Sequence, residues 1–174
     1  MPTTTQKYPP DASPFWSGVR DGLPFVFVVG PFAVLFGVLA TEAGLAVFEI
    51  LAFSVVVIAG AAQFTALQLM VEDAPTVIII ISALAVNLRM AMYSAALTPY
   101  LGAAPLWQRA TVAYFMLDQS YACSAAKFEQ APEMSVPARV AYFLGTCVPV
   151  VPVWYAGTVV GALIGTQIPV SYTH

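Results

Sequence analysis

Residues 75–97 read PTVIIIISALAVNLRMAMYSAAL, an apolar stretch whose single charge is Arg89. At a rise of 1.5 Å per residue, a helix of that length crosses a hydrocarbon core of about 30 Å. A charge near the centre of a lipid-exposed helix costs about 3 kcal/mol even on lenient insertion scales. Arg89 is therefore expected to face a bundle interior or a water-filled path. About 10 Å of helix remains beyond it, and a guanidinium can snorkel over part of that distance. A second stretch, LWQRATVAYFMLDQSYACSAAKF (106–128), places Asp118 in a similar setting. A short carboxylate near mid-span cannot snorkel, so Asp118 must find a partner, bind a proton or meet water.

The rest of the chain has the same character. Of 174 residues, 60% are hydrophobic and 9% charged, against about 25% charged in soluble domains. Charge-free runs cover 22–41, 50–71 and 140–174. The pattern predicts an all-α polytopic transmembrane bundle of about five spans, near 22–41, 48–71, 75–97, 106–127 and 138–165. Residues 1–20, polar and proline-rich without an apolar h-region, are expected to form a cytoplasmic tail and not a signal peptide. Residues 21–170 are expected to form the membrane domain. There is no basic patch for nucleic acid. Cys123 and Cys147 fall in separate apolar stretches and suit packing, not a disulfide framework or metal site. The single histidine is His174, so the composition argues against haem or zinc chemistry.

Placing the N-terminus inside puts Lys7, Arg20, Lys127 and Arg139 in the cytoplasm and leaves only Arg109 outside, as the positive-inside rule favours. Pro24, Gly30 and Pro31 in the first span, and Pro149 and Pro152 in the fifth, are expected helix breaks. A proline removes a backbone donor and clashes with the carbonyl four residues earlier. Interrupted spans point to transporter sites, although kinks are also common in membrane helices. Gly157, Gly161 and Gly165 share one helical face and are expected to pack against a neighbouring helix.

Further polar groups cluster in the apolar stretches. Gln63, beside Gly60, Ala61 and Ala62, offers a donor and an acceptor to a substrate or to another helix. Asn87 and Ser94 share one face of the third span, and Arg89 and Tyr93 another. Gln119 flanks Asp118. Two accounts of the charges are open. In one, Arg89 and Asp118 are an ion pair joining two spans. In the other, Asp118 couples protons or binds an ammonium while Arg89 binds a carboxylate. The candidate substrate-binding set is Gln63, Asn87, Arg89, Tyr93, Asp118 and Gln119.

The segments GLPFVFVVGPFAVLFGVLATEAGL (22–45), AGAAQFTALQL (59–69), VNLRMAMYSAALTPYL (86–101), DQSYA (118–122) and GALIGTQIP (161–169) resemble the AzlC family of branched-chain amino acid permeases. The likeness extends over nearly the whole chain from about Gly18. It implies secondary transport without a cofactor, exporting leucine, isoleucine and valine across a bacterial inner membrane. It also implies a small AzlD-like membrane subunit as partner. Family members usually continue for several more spans, so the chain is expected to be short at its C-terminal end. A non-transporting scaffold is the alternative function, on the strength of the glycine face. No HExxH or paired-aspartate protease motif supports an enzyme.

Overall fold

The computed structural model describes residues 13–167, and every regular element among them is helical. In lipid a helix keeps its backbone hydrogen bonds within itself, which makes it the natural spanning form for such a sequence. Helix α1 (Pro14–Gly22) continues through a short 3-10 turn (Leu23–Phe25) into α2 (Val26–Glu42). Together they form one segment, Pro14–Glu42, long and apolar enough to cross a membrane. Helices α5 (Thr76–Leu101) and α8 (Val136–Gly165) are two more. The expected second and fourth spans are each divided. Helices α3 (Val47–Val56) and α4 (Gly60–Val71) are separated by 57–59, and α6 (Leu106–Tyr114) and α7 (Asp118–Gln130) by 115–117.

The α1–α2 segment packs along α8 through a seam of small residues. Phe15 meets Gly145, Ala33 meets Gly157 and Thr41 meets Gly165, in the same order along both helices, so the two run parallel. A Cβ on Gly157 would lie 2.7 Å from the Ala33 Cβ, and one on Gly165 2.8 Å from the Thr41 Cβ. At Gly161 it would strike the Val34 backbone. The glycine face is thus a packing seam within the chain, and the close approach strengthens dispersion where lipid offers no hydrophobic drive.

This seam also corrects the expected helix breaks. Pro31 lies inside α2, Pro149 and Pro152 lie inside α8, and Gly30 is helical too; Pro24 sits in the 3-10 turn. Each proline forfeits one hydrogen bond, but the flanking turns are held against the partner helix over the whole length, and tertiary packing prevails over the local preference. The N-terminal boundary also shifts. Residues 14–20, expected in the tail, are helical and dock on the start of α8, where Gly18 meets Tyr142. The rest of that tail up to residue 12, with Lys7, lies outside the described residues, as do 168–170 of the expected domain and His174.

The divided helices fold back on themselves. Ser54 of α3 lies level with Thr158, the turn at 58–60 reaches Val29 and Trp154, and Phe64 of α4 packs on Phe32 and Phe36. The end of α4, at Met70 and Val71, then shares a cleft with Leu39 and Glu42 at the end of α2. Helices α3 and α4 therefore enter and leave at one end of the bundle. The second pair mirrors them from the other end. Arg109 of α6 lies beside Leu101, Met116 beside Ser94, Tyr121 of α7 stacks on Tyr93, and Phe128 packs on Tyr100. Three helices cross fully and two hairpins dip in from opposite ends, where five full spans were expected. A span followed by a hairpin thus occurs twice in opposite directions, the pattern of an inverted repeat.

The geometry redistributes the charges. Arg20, Arg109, Lys127 and Arg139 all lie toward the end where α1 and α8 begin, with Asp21, Glu129 and Glu133, whereas the other end carries Glu42, Glu49, Glu72 and Asp73 and no Lys or Arg among the described residues. Arg109 therefore joins the other cations instead of opposing them. Labelling tests this topology in a background lacking Cys123 and Cys147. Ala103→Cys and Glu133→Cys are expected to react with an impermeant maleimide from the same face of the membrane. Five full spans would put them on opposite faces.

Candidate functional site

The hairpin turns meet at mid-bundle, and each is stabilised by groups that satisfy its interrupted backbone. Tyr114 at the end of α6 donates its hydroxyl hydrogen to the Val55 carbonyl at 2.6 Å, so one hairpin closes a helix end of the other. At the second turn the Ser120 hydroxyl accepts the Leu117 N–H at 2.9 Å and donates to the Phe115 carbonyl at 3.2 Å. Ser120 is 1% exposed, and a buried unpaired backbone group at that depth would cost several kcal/mol, on the order of the membrane desolvation penalty. The divisions are therefore built features of the fold.

Between the turns lies a cavity of about 280 Å³, near the lower end of the roughly 300–1,000 Å³ typical of small-molecule sites. Hairpin residues Ile58, Ala59, Gly60 and Ala61 line one side, and Leu117, Asp118 and Gln119 the other. Helix α2 supplies Val28, Val29 and Phe32, and α8 supplies Val150, Val151 and Trp154. Arg89 and Met90 come from α5. The walls are largely apolar, and the formal charges on them are those of Arg89 and Asp118.

These two charges pair, with Arg89 Nη1 3.0 Å from Asp118 Oδ2. Their side chains are 32% and 43% exposed, so this pair is only partly desolvated. Asp118 occupies the first turn of α7, where the positive end of a helix dipole favours a carboxylate. Its Oδ1 and the Arg89 Nε are buried, and the Tyr93 hydroxyl lies beside the Asp118 carboxylate as a hydrogen-bond partner. Tyr93, one turn beyond Arg89, stacks on Tyr121 at a centroid separation of 4.1 Å and 8° between planes, bracing α5 against α7 beside the charges.

Of the sequence-derived candidates, Arg89, Asp118 and Gln119 line the cavity, and Tyr93 flanks it. Gln63 does not line it. It is 0% exposed behind the first turn, donating Nε2–H to Ser54 Oγ at 3.1 Å, and Ser54 in turn bonds Thr158 at 3.5 Å. Gln63 therefore ties α4 to α3, with Ser54 linking onward to α8, and its Oε1 has no partner. Asn87 also stands off the cavity, its Oδ1 buried and unpaired. Trp154 was missed by sequence reasoning. It is 8% exposed, its indole lines the cavity and its Nε1–H has no partner. A tryptophan in an apolar span is ordinarily packing, and only the tertiary arrangement distinguishes this one.

The chain is 25% identical over 178 residues to the inner membrane protein YgaZ of Escherichia coli (strain K12), an alignment covering 99% of this chain and 69% of the relative. No solved structure matches it. The family model described as AzlC protein matches residues 24–168. That stretch contains both hairpins and the charged pair between their turns, and the protein belongs to the AzlC family.

Proposed function

We propose that this chain is the large subunit of a secondary transporter that exports branched-chain amino acids across a bacterial inner membrane. The observation that carries the proposal is the small apolar cavity at mid-bundle, bounded by two opposed hairpin turns and holding the Arg89–Asp118 pair. An aliphatic side chain suits the Val, Phe and Trp walls, and a zwitterion brings an ammonium and a carboxylate to groups that can meet both. Hairpins from opposite ends also supply what alternating access needs, a separate movable element on each side of one site. The cationic end of the bundle favours a cytoplasmic N-terminus.

The partner in this proposal is a small AzlD-like membrane subunit. Helix α5 offers it an exposed apolar face at Val77, Ile81, Leu84, Leu88 and Met92. Cells preloaded with labelled leucine and expressing this chain with such a subunit are expected to lose label several-fold faster than cells with either subunit alone. Equal rates in all strains, with both subunits present in the membrane, would refute export of leucine by this pair.

A further inference from the structure

An ammonium and a carboxylate are common to all amino acids, so the apolar walls of the cavity must decide which side chain is accepted. Those walls differ in how firmly they are held. Val28 and Phe32 are more than half exposed, and Met90 is unbranched and adaptable. Trp154 is 8% exposed and is held on two sides. Its indole stacks on Phe36 of α2 at 6.2 Å with 21° between planes, and Phe36 is itself completely buried. That stack joins α8 to α2, so it belongs to the glycine-lined seam and not to a hairpin. The benzo edge of the indole lies against the start of α4, where Cη2, Cζ3 and Cζ2 would stand 3.1, 3.7 and 3.9 Å from a Cβ built on Gly60. Gly60 and Trp154 both line the cavity. The indole thus sits with the first hairpin turn, and the charged pair with the second.

We infer that Trp154 is a specificity-determining residue, whose indole closes the cavity to aromatic side chains and leaves room for aliphatic ones. This rests on the amino acid transport proposed above. A cavity of about 280 Å³ is small, so one rigid wall has a large effect on what fits. An apolar space of about 150 Å³ can hold a benzene ring, and truncating an indole to a methyl group opens a space of that order. Gly60 contributes from the facing side, because the absence of a side chain there lets the turn and the indole meet without pushing the ring into the cavity.

Binding by the full chain in lipid nanodiscs, measured by calorimetry with L-valine, L-leucine and L-phenylalanine, tests the assignment. The wild type is expected to bind leucine at least about tenfold more tightly than phenylalanine, the scale on which an apolar pocket discriminates small differences in side-chain size. Trp154→Ala is expected to invert that preference. Gly60→Ala sets a methyl group 3.1 Å from an indole that Phe36 keeps from moving aside. It is expected to weaken leucine about tenfold relative to valine, and it decides the matter if Trp154→Ala does not fold. Phe53→Ala loosens the same aromatic group from a position that does not line the cavity, and is expected to keep the wild-type order. Three results would overturn the assignment while leucine binding upholds the substrate class: a wild type that binds phenylalanine as tightly as leucine, an inversion in Phe53→Ala as well, or an unchanged order in Trp154→Ala and Gly60→Ala. Failure of the wild type to bind any of the three amino acids would overturn both.

Discussion

Asp118→Asn is expected to bring leucine efflux down to the level of cells lacking the protein, erasing the several-fold gain, while the variant still reaches the membrane. The change keeps the side chain's shape and removes the charge. Asparagine can still accept a hydrogen bond from Arg89, but it leaves the guanidinium uncompensated and offers an ammonium group only a neutral oxygen. Hydrogen bonds to charged groups exceed neutral ones by about twofold, and the mid-membrane setting magnifies the difference. The simple alternative is that Arg89 and Asp118 only hold α5 to α7. A double variant separates the two accounts. Arg89→Gln with Asp118→Asn replaces the ion pair by a neutral hydrogen-bonded one, which is often tolerated structurally. A purely structural pair predicts that the double variant regains efflux. A site predicts that it regains stability and stays inactive, and recovery of wild-type efflux would remove Asp118 from the transport path.

Membrane character was legible in the sequence because apolar runs and the scarcity of charge depend on composition along the chain alone. The charges of Arg89 and Asp118 were legible as a candidate site for the same reason, since a charge in lipid needs a cause wherever the helices lie. The hairpins were not legible. Residues 57–59 read Val-Ile-Ala and 115–117 read Phe-Met-Leu, with no proline or glycine to mark a turn. Their non-helical backbone is held by Tyr114 and Ser120, whose partners are set by tertiary position or by the turn itself. The prolines gave the opposite signal, because their local cost is real but smaller than the packing that keeps α2 and α8 continuous. Gln63 and Trp154 differ for a related reason. Both are polar groups in apolar helices, and only helix rotation decides that Trp154 reaches the cavity while Gln63 ties α4 to α3.

The second large effect is on folding. Gly161→Leu is expected to eliminate monodisperse, folded protein in detergent, because its Cβ would meet the Val34 backbone and not a flexible side chain. Overpacking a core typically costs about 1–3 kcal/mol when neighbours can shift. Here the obstacle is the main chain of α2, which can yield only by moving the whole helix. The adjacent Val160 is 49% exposed and points away from the seam, so Val160→Leu is the control expected to leave yield and melting temperature unchanged. Size-exclusion profiles and thermal unfolding of the two variants decide the matter, and a folded Gly161→Leu protein with a wild-type melting temperature would show that α2 and α8 do not pack this closely. The distinction bears on transport as well as stability. The α1–α2 and α8 seam runs the length of the bundle on small side chains and backbone, which leaves little freedom for sliding. The hairpins join it at Phe53, Phe64, Ser54 and Gly60 in the first, and at Phe128, Cys123 and the Phe115 carbonyl in the second. Under the proposed transport function, the seam is the fixed element and the hairpins, whose turns bound the cavity, are the elements expected to move.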